Sequence, residues 1–161
     1  MHLNYTAFFL IAFLPLLIAY FWYQPNSKMA QWAGVDNLIN LSTLRPLQIL
    51  WAFLLSFALV FGYINLIIHQ MGFYELFFTD IMKGSAEAKQ ITEDFLAKYG
   101  QKHRHFGHGV FHGAINAFFF ALPFLGLHAL LAGRSIKYLL FHFLYWLLTS
   151  MLIGGLISEF V

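Results

Sequence analysis

Residues 106–132 read FGHGVFHGAINAFFFALPFLGLHALLA, a run without Asp, Glu, Lys or Arg. It exceeds the roughly 20 residues that a helix needs to cross the hydrocarbon core of a bilayer. Small residues recur at every fourth position, at Gly109, Gly113, Ala117 and Ala121, which lets a second helix approach to backbone distance in the manner of GxxxG packing. His108, His112 and Asn116 share that spacing on a neighbouring ridge, about 100° round the helix. This reading makes the third of four apolar segments the one that the others pack around.

The rest of the chain supports that class. Of 161 residues, 60% are hydrophobic and 10% charged, with a mean hydropathy of +0.69; a soluble domain carries about 25% charged residues. Charges gather between Lys28 and Arg45, between Glu75 and Arg104, at Arg134 and Lys137, and at Glu159, and the intervals between them are apolar. Four spans are expected, at about residues 3–23, 46–70, 106–132 and 138–158, in a single domain covering 1–161. The predicted fold is all-α, a polytopic membrane protein with four transmembrane helices in a bundle. Both termini and the long loop around 71–105 then share one face, side A, and the two shorter loops share side B. Lys and Arg divide almost evenly between the sides, so the positive-inside rule leaves orientation open, with the absence of Lys and Arg before the first span leaning towards side A outside. A formal charge of +2 gives no reason to expect nucleic acid, and with no cysteine there is neither disulfide nor thiolate ligand. The first span has no basic leader and ends in the bulky run Tyr20-Phe21-Trp22-Tyr23, so it is expected to be retained rather than cleaved.

Taken in order, Pro15 should kink the first span, and Trp22 and Tyr23 suit the headgroup layer before Pro25 stops the helix. Residues 27–44 carry Met29, Trp32, Ala33, Val35, Leu38, Ile39 and Leu41, an amphipathic pattern expected to lie on side B, with Trp32 and Arg45 as further interfacial anchors. In the second span Ala58, Gly62, Asn65, His69 and Gly72 recur at intervals of three or four, a second small and polar ridge. Ser85 is an expected N-cap for an amphipathic helix over about 85–99, with Ala88, Ile91, Phe95 and Tyr99 as its stripe and Asp94 and Lys98 as a surface pair. Lys102-His103-Arg104-His105 is a basic cluster at the mouth of the third span. In the fourth, Gly154 is a packing glycine, and His142 is level with His128.

Two stretches resemble a family of small bacterial integral membrane proteins, the domain-of-unknown-function family 1761. One is Trp22-Tyr23-Gln24-Pro25 followed by Met29 and Trp32. The other runs from Gly109 to Ile157, with Phe111-His112-Gly113, Leu122-Pro123, Gly133-Arg134-Ser135 and Tyr145-Trp146 followed by Gly154. The resemblance implies a four-helix protein of the bacterial inner membrane and no assigned activity. His103, His105, His108 and the charged loop lie outside what it carries over.

The candidate site is on side A: Asn65, His69 and Glu75 from the second helix, His105, His108, His112 and Asn116 from the third, with His2 and Glu159 from the termini. Neutral imidazole suits zinc, copper, iron or haem, and His69, His108 and His112 are the candidate metal ligands. The spacing is permissive, because no metalloprotease acid accompanies it. The same groups also serve as glue, since His and Asn hydrogen-bond across helix contacts that Gly and Ala bring close. No acid, base or nucleophile set lies within the spans, so the expectation is a non-catalytic protein rather than an enzyme. Three functions are consistent with the residues. One is a packing subunit that self-associates or joins a larger membrane complex; another is a metal or haem site near one membrane face; the third is a proton, ion or small-solute path between helices 2, 3 and 4.

Overall fold

A computed structural model describes residues 3–25, 27–35 and 43–161, and every regular element among them is helical. His2 and the Leu38, Ile39 and Leu41 part of the side-B stripe lie outside the described residues. Four helical stretches are long and apolar enough to cross a membrane: Tyr5–Trp22, Pro46–Ile67, Phe106–Leu131 and Ile136–Phe160.

The first stretch is broken as Pro15 requires, into α1 (Tyr5–Ile11) and α2 (Leu14–Trp22). Neighbouring side chains serve the carbonyls around the break: Ser56 Oγ donates to Ala12 O (2.6 Å) and Tyr145 Oη to Pro15 O (2.9 Å). A short α3 (Lys28–Ala33) follows, capped by Ser27 and closed by Gly34 at φ 66°. The second stretch, α4 (Pro46–Ile67), opens on its proline and ends sooner than expected, because Ile68 (φ −92°, ψ 88°) leaves the helical region. A separate α5 (His69–Met82) then starts at His69, turns back through Gly84 and pairs with α6 (Ala86–Tyr99). The third stretch runs α7 (Phe106–Asn116), a π-helical turn (Ala117–Ala121) and α8 (Leu122–Leu131). Pro123 has no N–H to offer the carbonyl of Phe119, and the ladder widens within that turn. The last stretch, α9 (Ile136–Phe160), is continuous and capped by Ser135.

The centre is α9, not the third stretch. Half of its apolar window is buried, against 22% or less for the other three, and it meets α1, α2, α3, α4, α7 and α8. Its tightest partner is α7. A Cβ on Gly109 would fall on the carbonyl of Gly154, and one on Gly154 on the carbonyl of Gly109; a Cβ on Gly113 would fall on the carbonyl of Ser150. Stepping four residues up α7 steps four down α9, the antiparallel register that the small ridge allows. Ala117 is fully buried and Ala121 half-buried along the same line. On the other side of α9, Ile153 and Ile157 join Val60, Ile64 and Ile67 of α4 and Phe8 and Ile11 of α1 in the main apolar core.

Two expectations change. The inward face of α4 is Ser56, Val60, Tyr63, Ile64 and Ile67, while Ala58, Gly62 and Asn65 are exposed and a Cβ on Gly62 would meet nothing within 4 Å. The bulky apolar residues, not the small ones, fill the space against α9. On α6 the covered side is Ala88 and Thr92, with Phe95 stacked on Phe73 at 3.8 Å, so Ile91 is turned outward, and the ion pair is Lys89 with Glu93. Trp22 and Tyr23 are half-buried against α9, and Trp22 Nε1 donates to Phe141 O (3.2 Å). Trp32 and Arg45 are exposed.

Candidate functional site: a histidine cluster

The glycine seam sets the rotation of α7. With Gly109 and Gly113 pressed on α9, the His108 and His112 ridge, about 100° away, faces the start of α5. The break at Ile68 delivers the third imidazole, because α5 begins at His69. Gln70 anchors that turn by donating its side-chain amide Nε2 to Lys102 O (3.3 Å).

The approach to α7 is equally fixed. His105 is its N-cap, and His105 Nδ1 accepts from the His108 N–H (3.2 Å). Glu159 accepts from the Phe106 N–H at 2.7 Å, placing a carboxylate at the positive end of the helix dipole. Arg104 donates through Nε to Ser158 O (3.2 Å), and burial pushes its guanidinium below its ordinary pKa. His103 adopts φ 65°, a left-handed conformation uncommon for a residue with a side chain, and its ring stacks on His108 with centroids 5.1 Å apart.

His69, His108 and His112 each offer a ring nitrogen, and these nitrogens all lie within 4.8 Å of one another. The Nε2 atoms of His69 and His112 are 3.2 Å apart, and His108 Nε2 is buried with no hydrogen-bond partner. Tetrahedral zinc–imidazole bonds of about 2.0–2.1 Å place neighbouring ligand nitrogens about 3.3 Å apart. The His69–His112 edge already has that length, and His108 has a lone nitrogen to add. Beside the cluster, a cavity of about 280 Å³ is bounded by His69, Gln70, Phe73, Phe95, Lys102 and His103.

The other predicted site residues go elsewhere. Asn65 is exposed on α4 and Glu75 on α5, outside the group that could share one ion. His105 serves the backbone, Glu159 caps α7, and Asn116 is buried one turn beyond His112, at a different cavity. His103 was missed as a cluster member because it precedes the helix, where four-residue spacing carries no information. At the opposite end, His142 does not pair with His128, which is exposed; His142 Nδ1 shares a 2.9 Å hydrogen bond with Tyr23 Oη. The signal for that pair is long-range, 119 residues apart, and no periodicity contains it.

No protein-family model, curated protein or solved structure matches this chain.

Proposed function

We propose that this chain is an integral membrane protein that binds a divalent transition-metal ion through His69, His108 and His112. Its four apolar stretches cross the bilayer as a bundle, with the α5–α6 hairpin and both termini on one side. The resemblance to the domain-of-unknown-function family 1761 supports a bacterial inner-membrane setting. The observation carrying the metal reading is the convergence of three ring nitrogens from two separate helical stretches within 4.8 Å. A haem between His69 and His112 fits less well, since axial bonds of about 2 Å would hold their nitrogens about 4 Å apart across a macrocycle. With three imidazoles and no carboxylate, the cluster suits binding and exchange of an ion more than acid–base chemistry.

Titration of the detergent-purified protein with Co²⁺, followed by its visible bands, and competition with Zn²⁺ test the site. Saturation near one ion per chain is expected, with His69→Ala, His108→Ala and His112→Ala each weakening binding at least roughly tenfold, since even outer-sphere losses reach that size. Non-saturable uptake, or a His112→Ala protein that binds as well as the parent, removes the reading.

A second reading, a packing subunit that self-associates or joins a larger membrane complex, draws on Gly62 and Asn65, which face outward on α4 with open space above the glycine. Because the chain has no cysteine, Gly62→Cys provides a clean crosslinking probe. Disulfide-linked dimers in native membranes support this reading, and only monomer under oxidising conditions counts against it.

A further inference from the structure

A second cavity, of about 340 Å³, lies away from the histidines, where α4, the π turn, α8 and α9 come together. Its walls include Tyr63, Asn116, Phe120, Phe124, Leu125 and Trp146. Phe124 is 70% exposed, so the cavity opens outward between apolar side chains. On its wall Tyr63 Oη donates to Ser150 Oγ at 2.7 Å. Asn116 has no such bond. It is 8% exposed, and its Nδ2 is buried without a hydrogen-bond partner. An amide left unsatisfied in an apolar setting is destabilising, and much less so if a ligand supplies the acceptor. The π turn begins at the next residue, and it carries Phe120 and Ala121 onto the wall; such turns occur often at functional sites.

We infer that this cavity binds a lipophilic ring compound bearing a carbonyl, of the alkylated quinone class, with the carbonyl accepting from the Asn116 amide and the ring held among Tyr63, Phe120, Phe124 and Trp146. Depth selects the ligand. Asn116 lies ten residues in from Phe106 in the 26-residue stretch Phe106–Leu131, about 15 Å along the helix at 1.5 Å per residue. That is near the middle of a hydrocarbon core about 30 Å thick, whereas the ester carbonyls of phospholipids sit at its edges. A carbonyl reaching Asn116 belongs to a molecule that dissolves in the bilayer interior. The inference rests on the membrane placement proposed above and is independent of the metal site.

The test is equilibrium binding of a radiolabelled decyl-substituted 1,4-benzoquinone to the full chain in phosphatidylcholine nanodiscs, with decylbenzene as a competitor of similar apolar bulk and no carbonyl. Saturable binding near one per chain is expected, resistant to equimolar decylbenzene. Asn116→Leu should weaken it roughly three- to tenfold, the worth of one net hydrogen bond, and Leu125→Trp should block it by filling the space. Thermal unfolding of both variants in detergent checks that the fold survives. Absence of saturable binding, equal displacement by decylbenzene, or unchanged affinity in a folded Asn116→Leu protein overturns the inference. Failure here leaves the membrane placement standing if single cysteines placed in the loops still react with an impermeant maleimide from opposite sides of sealed vesicles.

Discussion

A single methyl group distinguishes the glycines that build this molecule from those that do not. Gly113 has the carbonyl of Ser150 where its Cβ would be, and Gly62 has open space. Gly113→Ala should therefore destabilise the protein by about 1–3 kcal/mol through overpacking against backbone. Gly62→Ala should be neutral or stabilise it by up to about 1 kcal/mol through helix propensity. Thermal unfolding in detergent checks both, and equal losses would misplace the seam. The same scale explains what was legible. A four-residue repeat of small residues marks a ridge that another helix can approach closely, and on α7 that ridge, Gly109 and Gly113, does meet α9. The repeat in α4 obeys the same rule of spacing, but filling the space beside Ile153 and Ile157 took Val60, Ile64 and Ile67, and Gly62 and Asn65 were left on the other face. The Tyr23–His142 bond is a residue-scale feature of a different kind. Tyr23→Phe should cost about 0.6 kcal/mol, the mean for a side-chain bond between membrane helices; an unchanged unfolding midpoint would show the bond to be replaceable.

At the level of elements, interruption is what places chemistry. The break at Pro15 was readable because proline removes a donor and clashes with the preceding turn. The break at Ile68 was not, since Ile-Ile-His-Gln carries neither proline nor glycine and every residue there tolerates a helix. Its cause is tertiary: Ile67 and Ile68 are buried in the main core while Gln70 reaches the Lys102 carbonyl. As a result His69 belongs to α5 rather than to the end of the second span, and it meets His112. The α5–α6 hairpin is held largely by Phe73 on Phe95 and by its outer contacts. Phe95→Ala should loosen it without unfolding the apolar stretches. The expected outcome is faster proteolysis near Gly84 with little change in global unfolding; protection equal to the parent would mean that the aromatic stack is incidental.

For the whole molecule, the four apolar stretches were plain from hydropathy, while the identity of the central one was not. Hydropathy measures transfer from water, and all four stretches score alike, between 1.8 and 2.1. What separates α9 is how many neighbours it meets, and that depends on chain topology. The bilayer arrangement has a direct check in a chain without cysteine. Glu87→Cys and Gln101→Cys should react with a membrane-impermeant maleimide from one side of sealed vesicles, and Lys28→Cys and Arg134→Cys from the other. Labelling of all four from one side would refute the four-span topology.

The discontinuity at Ile68 has one further effect. Two of the imidazoles ride on a helix locked to α9 by backbone contact, and the third rides on a hairpin tethered by an isoleucine hinge and a glutamine. An ion held by all three would act as a clasp, fastening the outer hairpin to the inner scaffold, so that occupancy of the site becomes legible as the posture of α5 and α6.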